Sequence, residues 1–143
     1  MGKRGFSLLE IMVAVVIIGI IAAIAIPSYT GYVTRTTRAD AVTALQTVAL
    51  FQEKNMAENG RYDTIANLVA NVGLTNPNAD ADRNYDIAVN LGAGNTTFTA
   101  IATPNAANFT DTISFAIQSD GQVGKWEGGA FVADDDLWKS LRP

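Results

Sequence analysis

The sequence predicts an α+β fold: a long N-terminal α-helix packed on a four-stranded antiparallel β-sheet. Three observations carry this. An apolar run from Phe6 to Ile26 is long enough for a membrane-spanning helix. A stripe of apolar residues at three- and four-residue steps continues the helical period as far as Asn59. Short alternating segments separated by turn signals then follow, from Tyr85 to Glu127.

The first five residues, Met1-Gly2-Lys3-Arg4-Gly5, are short and basic. The next 21, Phe6 to Ile26, contain only Ser7 and Glu10 that are neither apolar nor glycine. At ~1.5 Å per residue such a helix spans ~30 Å, about one bilayer core. A lone carboxylate there is costly in lipid, so Glu10 is the leading candidate for function. A secretory signal places its small cleavage residue after the apolar core; here the small residue, Gly5, precedes it. The basic pair Lys3 and Arg4 orients the run with its start in the cytoplasm. Pro27 lacks a backbone donor and crowds the preceding turn, which predicts a kink, with Gly19 a second weak point.

From Ser28 to Asn59 the helix turns amphipathic. Ala41, Val42, Leu45, Val48, Ala49 and Met56 form the stripe, with Phe51 beside it. Arg35, Arg38, Asp40, Gln46, Glu53, Lys54 and Glu58 occupy the remaining faces. Asn59-Gly60 ends the helix. Residues 60–84 read as a loop with a helical turn near Ile65 to Val72. Tyr85, Ile87, Val89 and Leu91 alternate as a first strand, and Gly92 to Asn95 turns the chain. Thr96 to Thr103 is a second strand, stopped by Pro104. Ile113, Phe115 and Ile117 mark a third, and Asp120-Gly121 turns it into a fourth, Gln122 to Glu127. Residues 128–143 read as a tail anchored by Trp138 and Leu141.

Composition excludes several classes. There is no Cys and no His, hence no disulfide scaffold, no Cys/His zinc site and no Ser-His-Asp triad. Without Lys3 and Arg4, eight basic residues face fourteen acidic ones, a net charge of −6. An acidic surface repels phosphates, so no nucleic-acid partner is expected. Asn76-Pro77-Asn78-Ala79-Asp80-Ala81-Asp82 alternates oxygen ligands. Ile87 or Val89 stands where a calcium loop would need its closing Glu, so a solvated loop is the better reading. Asp134-Asp135-Asp136 reads as a solvated charge run. No metal or cofactor site and no catalytic residue is expected.

Lys3-Arg4-Gly5-Phe6-Ser7-Leu8-Leu9-Glu10 closely resembles the leader and first residues of type IV prepilins, and the likeness extends through Gly19 and Pro27 to Tyr29. It implies cleavage between Gly5 and Phe6 by a prepilin peptidase, and methylation of the new Phe6 amine. It implies an assembly role for Glu10, pairing with the Phe6 amine of a neighbouring subunit. Geometry alone leaves a pair within one subunit open, because Glu10 lies four residues from Phe6. The resemblance also implies that the helix between Gly19 and Pro27 can lose helicity on assembly. The expected organisation is a leader (1–5), a transmembrane and filament-core helix (6–27) and an outward-facing domain (28–143).

The segment Phe98 to Trp126 resembles the second half of Gram-negative pilins, many of which close their C-terminal loop with a disulfide. Thr112 and Leu137 stand about where those cysteines would fall, so the loop here must be held by other means. The function implied is a structural subunit. It inserts in the inner membrane, is processed, and polymerises on an assembly platform with other pilin subunits into a surface filament for adhesion, motility or DNA uptake. A minor pilin or a type II secretion pseudopilin is the alternative reading. A DNA-binding competence pilin and a membrane-anchored enzyme rank last. A basic stripe from Arg61, Arg83, Lys125, Lys139 and Arg142 would discriminate the DNA-binding case.

Overall fold

A computed structural model describes residues 5–141. Helix α1 runs Leu8–Asn59, with Gly19 and Pro27 inside it. A short helix α2 (Ile65–Asn67) continues into one π-helical turn, Leu68–Val72. Strands β1 (Tyr85–Leu91), β2 (Phe98–Pro104), β3 (Phe115–Gln118), β4 (Val123–Glu127) and β5 (Ala130–Ala133) follow, and helix α3 (Asp135–Leu141) closes the chain. The five strands form one antiparallel meander in sequence order.

The sheet thus has five strands where the sequence predicts four. Gly128 and Gly129 both take positive φ (57° and 84°), the left-handed conformation of a two-residue hairpin turn. They fold Ala130–Ala133 back onto β4, with Trp126 opposite Phe131. The segment read as a tail is this strand plus α3. β5 gives no alternation signal because three of its four residues are exposed. Gly124 is required where β4 meets it: a Cβ there would collide with the Val132 carbonyl oxygen.

The residues divide into two compact units, one ending at Thr36 and the other beginning at Thr37. In the second, Ala41, Val42, Leu45 and Val48 of α1 are buried, as the stripe predicts, while Ala49, Phe51 and Met56 are half-buried. They pack with Phe98, Ala100, Ala102, Phe115, Trp138 and Leu141. A chain of aromatic contacts crosses this core. Phe109 meets Tyr85 at 5.7 Å, Tyr85 meets Phe115 at 5.9 Å, and Phe115 meets Trp138 edge-on at 6.5 Å.

The helical stripe continues with two polar residues. Gln52 and Asn55 follow Val48 at steps of four and three and are buried. The Gln52 amide accepts from the Asp63 N–H (2.9 Å) and donates to the Asp63 carbonyl (2.6 Å). Asn55 donates to the Arg61 carbonyl at 2.8 Å. These side chains satisfy the backbone that turns back at the end of α1, which would otherwise be buried unpaired.

Candidate functional site

In the first unit, Phe6 and Ser7 precede the helix, and the Ser7 carbonyl accepts from the N–H groups of Glu10 (3.0 Å) and Ile11 (3.2 Å). The helix begins at Leu8, two residues later than Phe6. In this structure Phe6 and Glu10 therefore do not share the four-residue relation of a continuous helix. From Phe6 to Ile26 every residue is exposed except Ala22, which is half-buried. Phe6 and Leu8 are each 78% exposed. This unit supplies no cover for its own apolar surface. The Glu10 carboxylate has no bonding partner among the described residues and lies one helical turn from the start of that surface.

Pro27 gives no N–H to the Ala23 carbonyl. Hydroxyls strap the turns on either side of it: Ser28 donates to the Ile24 carbonyl (3.1 Å) and Thr30 to the Pro27 carbonyl (3.0 Å). Such back-bonding lets a proline persist inside an apolar helix, and it commonly bends one.

The second unit carries a partly buried charge pair that helical periodicity alone misassigns. Arg38, placed by the sequence on the solvent side, donates through Nε (2.7 Å) and Nη2 (2.8 Å) to the two oxygens of Asp111. Tyr85 donates its hydroxyl to the same carboxylate at 2.7 Å, and the N–H groups of Thr112 and Ile113 complete it. The Arg38 bond is the largest cause holding the Asp111 carboxyl well below the usual carboxylate range. Burial and the bond to Asp111 push the Tyr85 hydroxyl above its ordinary value.

This pair holds the chain beside Thr112, one of the two positions where the resemblance noted in the sequence would place a cysteine. Near Leu137, the other such position, Asp134 caps α3 by accepting from the Leu137 N–H at 3.0 Å. Asp134 also pairs with Lys125 at 2.9 Å. The Trp138 indole donates to the Gly124 carbonyl at 2.9 Å. Packing, a cap and two ion pairs thus hold the loop. The expectation that Asp134 is merely solvated does not hold. An Asp three residues before the first apolar position of a short helix is a capping signal that was there to be read.

Four of the five basic residues named for a stripe pair with carboxylates. Arg61 pairs with Asp63, Arg83 with Asp86, Lys125 with Asp134, and Lys139 with Asp135 and Asp136. Arg142 lies outside the described residues, as do Lys3 and Arg4. In the loop at 76–82, Asn76 accepts from the Asn78 N–H and Asp80 from the Asp82 N–H. Among the described residues no group of three or more His, Asp or Glu is arranged to hold a metal ion. One cleft of the described surface, about 140 Å³, is lined by residues that include Asp40, Ala44 and Arg83.

Comparison with known proteins gives two family matches. Residues 1–26 match the prokaryotic N-terminal methylation motif. Residues 27–112 match the family described as type IV minor pilin ComP, DNA uptake sequence receptor. The chain is similar to the type IV major pilin protein PilA of Myxococcus xanthus, 42% identical over 65 residues, which is 46% of this chain and 30% of that protein. It is similar to fimbrial protein Q of Moraxella bovis, 34% identical over 95 residues, 64% of this chain and 60% of that protein. A fimbrial protein of Pseudomonas aeruginosa is 56% identical over 50 residues, 33% of this chain and 32% of that protein. The matches thus span less than two thirds of these relatives' lengths, and no solved structure matches. With the methylation motif at its start and a pilin family spanning more than half of its length, the chain belongs to the type IV pilin family.

Proposed function

We propose that this chain is a structural subunit of a type IV pilus. It enters the inner membrane through residues 6–27 with residues 1–5 as a leader. A prepilin peptidase cleaves it between Gly5 and Phe6, and the Phe6 amine is methylated. An inner-membrane assembly platform then adds it to a filament of other pilin subunits outside the cell. Residues 28–143 form the outward domain, and no enzymatic step is assigned to it.

The observation that carries this reading is the uncovered apolar helix with one carboxylate in its first turn. Before assembly, lipid covers that surface. In the filament, neighbouring helices do. An α-amine has a reference pKa of ~8 and is charged at neutral pH, as is its methylated form. A carboxylate and an ammonium buried together neutralise one another, whereas either alone is costly. The Phe6 amine of one subunit and Glu10 of the next supply that pair and set the axial register. Gly19 and Pro27 mark the stretch where the helix yields during packing.

The family description that mentions DNA uptake favours a second reading, a minor pilin that receives DNA. The acidic net charge and the four carboxylate-paired basic residues weigh against it. Electron microscopy of cells lacking this chain tests the first reading, which expects loss of surface filaments. Salt-dependent DNA binding by the purified chain would favour the second.

A further inference from the structure

The two edges of the sheet are treated differently. Along an edge strand, alternate residues turn their N–H and C=O outward, away from the ladder. On β1, the bond from the Asn105 N–H to the Asn84 carbonyl makes the even-numbered residues inward and the odd-numbered ones outward. Outward Ile87 is occupied. The Asn78 side chain donates to its carbonyl (2.7 Å) and accepts from its N–H (2.9 Å), and Arg83 holds the Asn78 carbonyl in turn. A side-chain amide thus stands where another strand would bond.

On β5, the bond from the Asp134 N–H to the Val123 carbonyl sets Ala130, Val132 and Asp134 inward. Phe131 and Ala133 therefore face outward, and among the described residues nothing bonds their outward groups. The strand Ala130-Phe131-Val132-Ala133 has no charge and no proline, the usual devices that blunt an edge. Ala130, Val132 and Ala133 are exposed.

We propose that this edge pairs antiparallel with the β5 edge of a second copy of the chain, about a two-fold axis at Val132. Outward residues must face outward residues, so Phe131 lies opposite the second copy's Ala133 and their backbone groups bond reciprocally. Val132 then faces its own counterpart in the close, non-hydrogen-bonded position. In this register Asp134 opposes Ala130 and Asp135 opposes Gly129, so no carboxylate meets a carboxylate. Slipping by two residues loses one of the reciprocal pairs. The Asn78 amide at Ile87 interrupts the outward row of β1, whereas both outward residues of β5 are open to a second β5.

Such a contact closes after two copies, whereas a filament contact must propagate. Resting on the filament reading, the proposal places β5 pairing between copies in neighbouring filaments. Each contact is small, and repetition along two filaments adds them together.

Because the chain has no cysteine, Val132→Cys places a single thiol on the axis. Facing residues at this position lie ~4.5 Å apart at Cα, within reach of a disulfide. Oxidised filaments of Val132→Cys are expected to yield a linked dimer, and filaments of Ala88→Cys, exposed on β1, are not. Adding Ala133→Pro removes an outward donor but no ladder bond, and should cut the dimer about tenfold. No dimer from Val132→Cys, or an equal yield from Ala88→Cys or with Ala133→Pro, overturns the pairing. Val132→Lys changes an exposed side chain and sets two ammonium groups face to face. Its filaments should lie singly where the parent's lie side by side, and equal bundling would also overturn the pairing. If the parent makes no filaments, the filament reading fails and the pairing with it; filaments that form without linking refute the pairing alone.

Discussion

Replacing Asp111 with Asn removes the anion that ties the loop before β3 to α1 and β1. The carboxylate accepts from Arg38 twice, from Tyr85 and from two backbone N–H groups. Its side chain is 3% exposed and that of Arg38 is 27% exposed. Breaking a buried ion pair costs ~3–5 kcal/mol, and the partial exposure of Arg38 lowers this to ~2–4 kcal/mol. For a domain of this size that is ~10–15 °C in Tm. The emission of Trp126 and Trp138 during a melt in detergent micelles reports on the sheet domain.

The pH dependence has a definite sign. The folded Asp111 carboxyl binds protons more weakly than the unfolded one, whose reference pKa is ~3.9. Its stabilisation is therefore fully present above ~pH 4 and declines as pH falls towards the folded value. Below pH 4 the gap between parent and Asp111→Asn should narrow by up to ~1.4 kcal/mol per pH unit. A variant that melts within ~2 °C of the parent at pH 7, or a gap of equal size at pH 7 and pH 2.5, would refute the anchoring role.

Gln52→Leu keeps the side-chain bulk but leaves the Asp63 N–H and C=O unpaired; urea titration should show a loss of ~2–3 kcal/mol. A chain truncated near residue 30 retains every buried residue, the first being Thr37, and should melt cooperatively as a monomer, unchanged by reducing agent. Replacing Gly5 with a bulky residue should leave an uncleaved precursor in the membrane. Intact-mass measurement of the native protein should find methylated Phe6 first, and a native start at Met1 or Gly2 would contradict it.

Much of the fold was legible because it is local. The 3.6-residue stripe, the Asn59-Gly60 stop and the alternation of Tyr85 to Leu91 each depend on one element. Arg38 was not legible, since its partner lies 73 residues away and periodicity within a helix cannot see it. Gln52 and Asn55 were hidden by chemistry and not by position, because their spacing continues the buried stripe. β5 was missed because an exposed edge strand does not alternate. For Gly5, Phe6 and Glu10, the apolar context that makes them notable is a sequence property, and the roles proposed for them involve other molecules.

The most direct test of the filament role is the fate of Glu10→Gln. The substitution removes a charge from the apolar helix, a gain for insertion of at most ~2–3 kcal/mol and less near the helix end. The variant should therefore insert and be cleaved normally. In filaments, the Phe6 amine of the next subunit would lose its carboxylate. The measurement is subunit sheared from the cell surface relative to subunit left in membranes, normalised to cleaved protein. The expected result is a low ratio for Glu10→Gln and a lower one for Glu10→Leu; parental ratios in both would contradict a charge pair between subunits.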